Sequence, residues 1–192
     1  MPSRPYVTAT VTIPANALGP EVAGQPGKPV LVMYYTRSTD GGASFERPRQ
    51  LHTLPAIDQS AFMDGGFSSA HAFATLGVAP NGTVHTIWVD TRSMQKGDGA
   101  AAAYAALSRD DGATWTAEQI ALSEGVCPCC QITLAFDSKS NLYVGSRQVT
   151  DHGTRNSTVA RAVAGTSRLE TPVRVSSKEW ALEGCPLKPT VV

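Results

Sequence analysis

The run V-C-P-C-C-Q-I-T-L-A-F-D, Val126 to Asp137, sets Cys127, Cys129 and Cys130 within four positions, and the fourth cysteine, Cys185, stands in E-G-C-P. Thiols packed so densely have three uses. One is a disulfide between Cys185 and a member of the cluster, which suits an exported protein. The second is a soft-metal site, since thiolates, helped by an imidazole, hold Cu(I) or Zn. The third is a set of small apolar thiols that only fill space. Read as C-x-C-C, the run departs from the C-x2-C spacing of common zinc modules, which weakens the metal signal. The disulfide is the favoured expectation.

The elements that must position these sulfurs emerge from an internal repeat. S-A-H-A-F-A-T-L-G-V-A-P-N-G-T-V-H-T-I-W-V-D, from Ser69, aligns with C-P-C-C-Q-I-T-L-A-F-D-S-K-S-N-L-Y-V-G-S-R-Q, from Cys127, at an offset of 58 residues. The same offset carries Cys127 to Cys185 and places His71 opposite Cys129. His71, Cys127, Cys129, Cys130 and Cys185 thus form one candidate metal constellation at the start of equivalent strands. A second pair of segments repeats S-x-D-x-G-x-[ST]-[FW]. It runs through Ser38, Asp40, Gly42 and Phe45, and again through Ser108, Asp110, Gly112 and Trp115. Physical chemistry gives this element a structural role, because the short Ser and Asp side chains accept N–H bonds of their own turn, and Gly supplies a positive φ. The aromatic ring is expected to pack under the hairpin.

A unit of this length built from short strands suits a four-stranded propeller blade, which uses about 40 to 50 residues. The 192 residues hold 17 Gly and 13 Pro, and β-branched runs such as Y-V-T-A-T-V-T-I and T-V-H-T-I-W-V are short and bounded by turn residues. The fold class is therefore all-β, a partial propeller of roughly three and a half blades. A single domain over 1–192 is expected, with approximate blades 1–66, 67–124 and 125–181 and the start of another at 182–192. In the middle blade the spacing predicts strands at 73–79, 83–89, 101–108 and 116–122. In the next it predicts 131–136, 142–147, 158–163 and 172–175. Residues 162 and 164 are both Ala where the third unit would carry the Ser and Asp of the turn element. The first unit is irregular, with four prolines from Pro14 to Pro29.

The turn element is the Asp-box, and here the chain resembles the sialidase-like, Asp-box (BNR-repeat) β-propellers. The C-P-C-C run, N-L-Y-V-G-S-R and E-W-A-L-E-G-C-P resemble more narrowly a bacterial subgroup labelled exo-α-sialidases. The resemblance places each Asp-box between a blade's third and fourth strands. It implies an exported, carbohydrate-acting protein of glycoside hydrolase type, located in the periplasm or outside the cell. Sialidases hold the substrate carboxylate with three arginines, whose planar fork matches it, and use a Tyr–Glu pair and an Asp for catalysis. Arg92 in W-V-D-T-R, Arg147 in G-S-R-Q and Asp90 are the residues that could match. The Arg-Ile-Pro motif of that family is absent, so a full arginine triad cannot be assigned. The bland reading pairs Arg92 with Asp90 at a strand end. A non-catalytic binding or metal-handling module built on the cysteines is the alternative function.

The remaining signals exclude more than they assign. The 16 basic residues balance 16 acidic ones, so no net field draws the chain to nucleic acid or an anionic membrane. No stretch nears the roughly 20 apolar residues that span a bilayer. The opening M-P-S-R-P-Y-V-T-A-T lacks a signal-peptide core, so any export signal is expected outside this sequence. His52, His85 and His152 read as packing residues, and Tyr34, Tyr35 and Tyr104 as contacts between blades. Asn81 and Asn156 fit the glycosylation sequon, but a turn explains both. The open strand edges of an incomplete ring call for further blades or self-association.

Overall fold

The computed structural model describes residues 6–14, 29–52, 57–58, 71–92, 100–123, 125–150, 153–181 and 189–192; for 6–14, 29–32, 57–58 and 71–72 only the backbone is described. Twelve strands form three antiparallel sheets among these residues, and the path through them follows the short β-branched runs of the sequence. The second sheet is β5 (His71–Val78), β6 (Val84–Asp90), β7 (Ala102–Ser108) and β8 (Gln119–Leu122), in that order. The third is β9 (Thr133–Phe136), β10 (Leu142–Val149), β11 (Arg155–Ala162) and β12 (Val173–Arg174), again hydrogen-bonded in chain order. Each expected strand of these two units is present, with ends displaced by up to three residues.

The first sheet differs. β1 (Tyr6–Pro14) pairs with β2 (Pro29–Arg37) along its whole length, and two short strands, β3 (Arg49–Gln50) and β4 (Ile57–Asp58), both pair with β2. The S-x-D-x-G turn follows β2 here but follows the third strand, β7, in the second sheet. By that register β1 and β2 stand as second and third strands of a blade. The result is a partial, propeller-like all-β fold.

The repeat is visible as a hydrogen bond. Thr75 Oγ1 donates to the Ile132 carbonyl at 2.6 Å, and its counterpart 58 residues on, Thr133 Oγ1, donates to the Thr190 carbonyl. One threonine on β5 and its counterpart on β9 thus make the same bond to the residues that follow 57 positions on. Between the second and third sheets lies a core of Ile87, Val89, Ala103, Ala105, Val126, Ile132, Leu142, Val144 and Ala160. The alanines of β7 let the sheets approach closely, and interiors packed to crystal-like density leave no room for larger side chains there. Met33, Trp88 and Ala106 form the corresponding core toward the first sheet.

Both S-x-D-x-G turns close in the same way. Ser108 Oγ donates to Asp110 Oδ1 at 2.7 Å and accepts Gly112 N–H at 2.8 Å, while Asp110 accepts Thr114 N–H at 2.8 Å. Ser38, Asp40, Gly42 and Ser44 repeat these bonds. The carboxylates are held far below the usual range by these donors, chiefly the Thr114 hydroxyl for Asp110 and the Ser38 hydroxyl for Asp40. Gly112 adopts φ 78°, and a Cβ there would collide with the Tyr35 hydroxyl, so two constraints select glycine. The aromatic residues depart from expectation. Trp115 packs edge-on against Tyr35 of the first sheet, at 4.9 Å between centroids, whereas Phe45 is 47% exposed. The ring joins neighbouring sheets in one case and faces solvent in the other.

Candidate functional site: a cysteine cluster between two sheets

Cys127, Cys129 and Cys130 sit in a turn ahead of β9, as the repeat predicts. The segment before them bridges two sheets: Val126 N–H donates to Ala101 O at 3.1 Å, Val126 pairs with Gln148, and Cys127 N–H donates to Arg147 O at 2.7 Å. Cys130 N–H closes the turn on Cys127 O at 3.3 Å. Packed against Val149, all three side chains are buried, Cys127 completely.

The three sulfurs are not equivalent. Cys127 and Cys130 are free thiols, while Cys129 is disulfide-bonded. Cys127 Sγ lies 3.3 Å from Cys129 Sγ and 3.1 Å from Nη1 of Arg155, the first residue of β11. Among the described residues no carboxylate reaches the Arg155 guanidinium, and its Nε has no partner there. The Cys127 thiol is lowered from 9.0 to about 6. The largest cause is a hydrogen bond from the Cys130 thiol; burial opposes it, and Cys129 N–H and the Arg155 charge add to the lowering.

The structure corrects the expected spacing. Cys127 and Cys130 are themselves a C-x2-C pair, with Pro128 and Cys129 between them, and reading the run as C-x-C-C hides it. The pattern of an acidic first thiol hydrogen-bonded by the second is what C-x-x-C motifs provide. Arg155 was invisible to sequence reasoning, for it stands 28 residues from Cys127, brought back by the β10–β11 hairpin.

As a metal site the cluster offers three sulfurs within 4.8 Å of one another. Cys129 in a disulfide has no thiolate to give, which leaves Cys127 and Cys130, fewer than the four ligands of structural zinc. Two thiolates suit Cu(I) better. Cys185 lies outside the described residues. His71 opens β5 opposite Asp90, with its side chain likewise undescribed.

The candidate carboxylate-binding residues are brought into other work. Arg92 follows β6 and donates from Nε to Asp90 Oδ1 at 2.9 Å, from Nη2 to Asp90 Oδ2 at 2.6 Å and from Nη1 to Glu118 Oε1 at 2.9 Å. Its guanidinium lies 3.9 Å over the Tyr104 ring, and Asp90 also accepts Trp88 Nε1. The Arg92–Asp90 pair expected from the sequence is present, but buried rather than solvated, and Glu118 is its unforeseen third member. Arg147, in β10, donates to Arg155 O at 3.3 Å and lies 5.1 Å over the Trp180 ring. It adjoins the cysteine cluster through its own carbonyl.

Of the minor expectations, His85 is buried in β6, and His52 is buried with Nε2 accepting Met33 N–H at 3.2 Å. His152 lies outside the described residues. Asn81 keeps its turn, its side chain accepting Thr83 N–H at 3.0 Å. Asn156 does not: it lies inside β11 and is buried, so a turn does not explain that sequon.

This geometry defines a partial, propeller-like all-β fold carrying a buried thiol cluster. In keeping with it, the chain is similar to a crystal structure of a protein of unknown function from Dyadobacter fermentans DSM 18053. The TM-score is 0.58 at 18% identity, over 89% of this chain and 47% of that one. It also matches the Hadza microbial sialidase Hz136, with a TM-score of 0.49 and 16% identity over 75% of this chain and 32% of that one. The chain therefore spans less than half the length of either structure. No protein-family model and no curated protein matches it.

Proposed function

We propose that this chain is a sector of a sialidase-like propeller whose chemistry is a dithiol redox centre, with Cys127 as nucleophile and Cys130 as the resolving thiol. The observation that carries this reading is the contact of Cys127 Sγ with Arg155 Nη1 at 3.1 Å, in a C-x2-C turn whose two ends are free thiols. A thiolate beside a guanidinium is the reactive form of cysteine. Pairing of Cys129 with Cys185 belongs to the same reading, since the other two cysteines are free. A disulfide persists in an oxidising compartment, which supports a periplasmic or extracellular setting.

Alkylation tests it. Protein purified at pH 5 without reductant is expected to take up two equivalents of iodoacetamide after unfolding, at Cys127 and Cys130. In the folded state the ultraviolet absorbance of the Cys127 thiolate should rise with pH around a midpoint of about 6. Arg155→Gln should move that midpoint upward. A midpoint between about 8 and 9, the ordinary thiol range, or labelling of all four cysteines, would end the reading.

Carbohydrate action is the second reading, and its support is the Asp-box resemblance of the sequence. Against it stands Arg92, whose fork is already committed to Asp90 and Glu118. This chain is expected not to turn over a fluorogenic sialoside. Hydrolysis that survives reduction and alkylation of the thiols would favour the glycosidase instead.

A further inference from the structure

Burial sets a puzzle for a redox thiol. Cys127 is wholly enclosed and Cys130 nearly so, and a protein partner cannot reach either sulfur without opening the turn. Attack on a disulfide needs the thiolate in contact with one sulfur of the bond, with the departing sulfur on the far side. The Cys129 sulfur is already at that distance, 3.3 Å from Cys127 Sγ. Arg155, also in contact with Cys127, is placed to stabilise the attacking charge.

Resting on the dithiol reading above, we infer that the Cys129 disulfide is the internal electron acceptor of the Cys127–Cys130 pair, so that the bond migrates within the cluster. In the first step the Cys127 thiolate attacks Cys129 Sγ. A Cys127–Cys129 bond forms, and the sulfur previously joined to Cys129 leaves as a thiolate. In the second step Cys130, losing its proton, attacks Cys127 Sγ and expels Cys129 as a thiolate. The Cys127–Cys130 pair is oxidised by two electrons and the original disulfide is reduced by two. No external oxidant enters. The products are a C-x2-C disulfide in the turn before β9 and a released Cys129, so the exchange unties whatever Cys129 holds.

Arg155 is a positioning residue in this scheme. It touches the attacking sulfur and shifts its charge state, and it forms no bond to any sulfur during the exchange. The pH profile of migration reads that role, which a purely structural contact would not move.

The test uses the unmodified full chain. Anaerobic protein purified at pH 5 is moved to pH 8, quenched with acid at intervals, alkylated and digested with trypsin. The three clustered cysteines share one peptide, residues 110–139. We expect that peptide to lose its link to a second peptide and gain an internal bond, with a rate about tenfold lower at pH 5 than at pH 8, following the thiolate fraction. Cys130→Ser should stop the reaction at the Cys127–Cys129 bond. If the link to Cys129 stays in place at pH 8 while the Cys127 thiolate absorbance keeps its low midpoint, the migration is wrong and the dithiol reading stands. If the midpoint is that of an ordinary thiol, both fall.

Discussion

Arg92→Ala is expected to destabilise the fold by about 3 to 5 kcal/mol, the usual consequence of removing one partner of a buried ion pair. Asp90 is fully buried and the Glu118 side chain is 7% exposed, so both carboxylates would be stranded away from water. Burial by itself would lower the Arg92 pKa; the bonds to Asp90 and then Glu118 outweigh it and raise the value above its ordinary level. The arginine is thus bound more tightly as a cation than water would bind it. Thermal unfolding should fall by about 10 °C, given about 2 to 4 °C per kcal/mol for a chain of this size. Arg92→Lys should lose less, since it keeps the charge but not the fork that meets both oxygens of Asp90. Combining Arg92→Met with Asp90→Asn and Glu118→Gln should recover part of the loss, because no charge remains unpaired. A melting temperature unchanged in Arg92→Ala would show that the arginine is free for a ligand carboxylate, and would favour the proposal of carbohydrate action over the dithiol reading.

The contrast between Arg92 and Arg155 explains what the sequence could and could not disclose. Regular features were legible because they recur: the 58-residue offset reappears as the Thr75 and Thr133 hydrogen bonds, and the Ser–Asp–Gly turns close with the same donors twice. The turn before β9 was placed correctly for the same reason. What was lost depends on sheet pairing. Arg155 reaches Cys127 because β10 and β11 pair Val149 with Arg155, and Glu118 meets Arg92 across a separation of 26 residues. No periodicity announces such a contact. The C-x2-C pair was a different failure: its spacing is plain in the chain but masked by the extra cysteine between. The prolines of the first unit signalled irregularity there, yet Pro14 and Pro29 pair with each other as the last residue of β1 and the first of β2, a strand-end position where a missing N–H costs little.

Acidification from pH 7 to pH 4 is expected to remove about 3 kcal/mol of stability through one residue, His85, because a tenfold change in proton affinity is worth about 1.4 kcal/mol. Its imidazole is buried in β6, where Gly77 and Leu107 are its partners on the flanking strands, and tilts against Phe136, 5.3 Å between centroids. Neither ring nitrogen has a hydrogen-bond partner among the described residues. Burial, and then the positive charge of Arg109, lower its pKa from 6.5 to about 4. A lowered value for a base means that the unfolded chain binds the extra proton between pH 6.5 and 4, so stability is complete above that window and falls as pH drops through it. Other displaced groups act elsewhere: Asp40, Asp110 and Asp137, all lowered from 3.8, lose their contribution only in stronger acid, and Cys127 acts between about 6 and 9.0. The step from pH 5.5 to 4.5 in urea unfolding therefore isolates the histidine, whereas the step from pH 7.5 to 5.5 also carries the Cys127 contribution. His85→Leu removes two unpartnered nitrogens from the interior, and it should be at least as stable as the parent at pH 7.5. Across the acid window its stability should stay nearly level. An equal decline in parent and variant would assign the acid sensitivity to other groups and show that the His85 imidazole protonates without penalty in the folded chain.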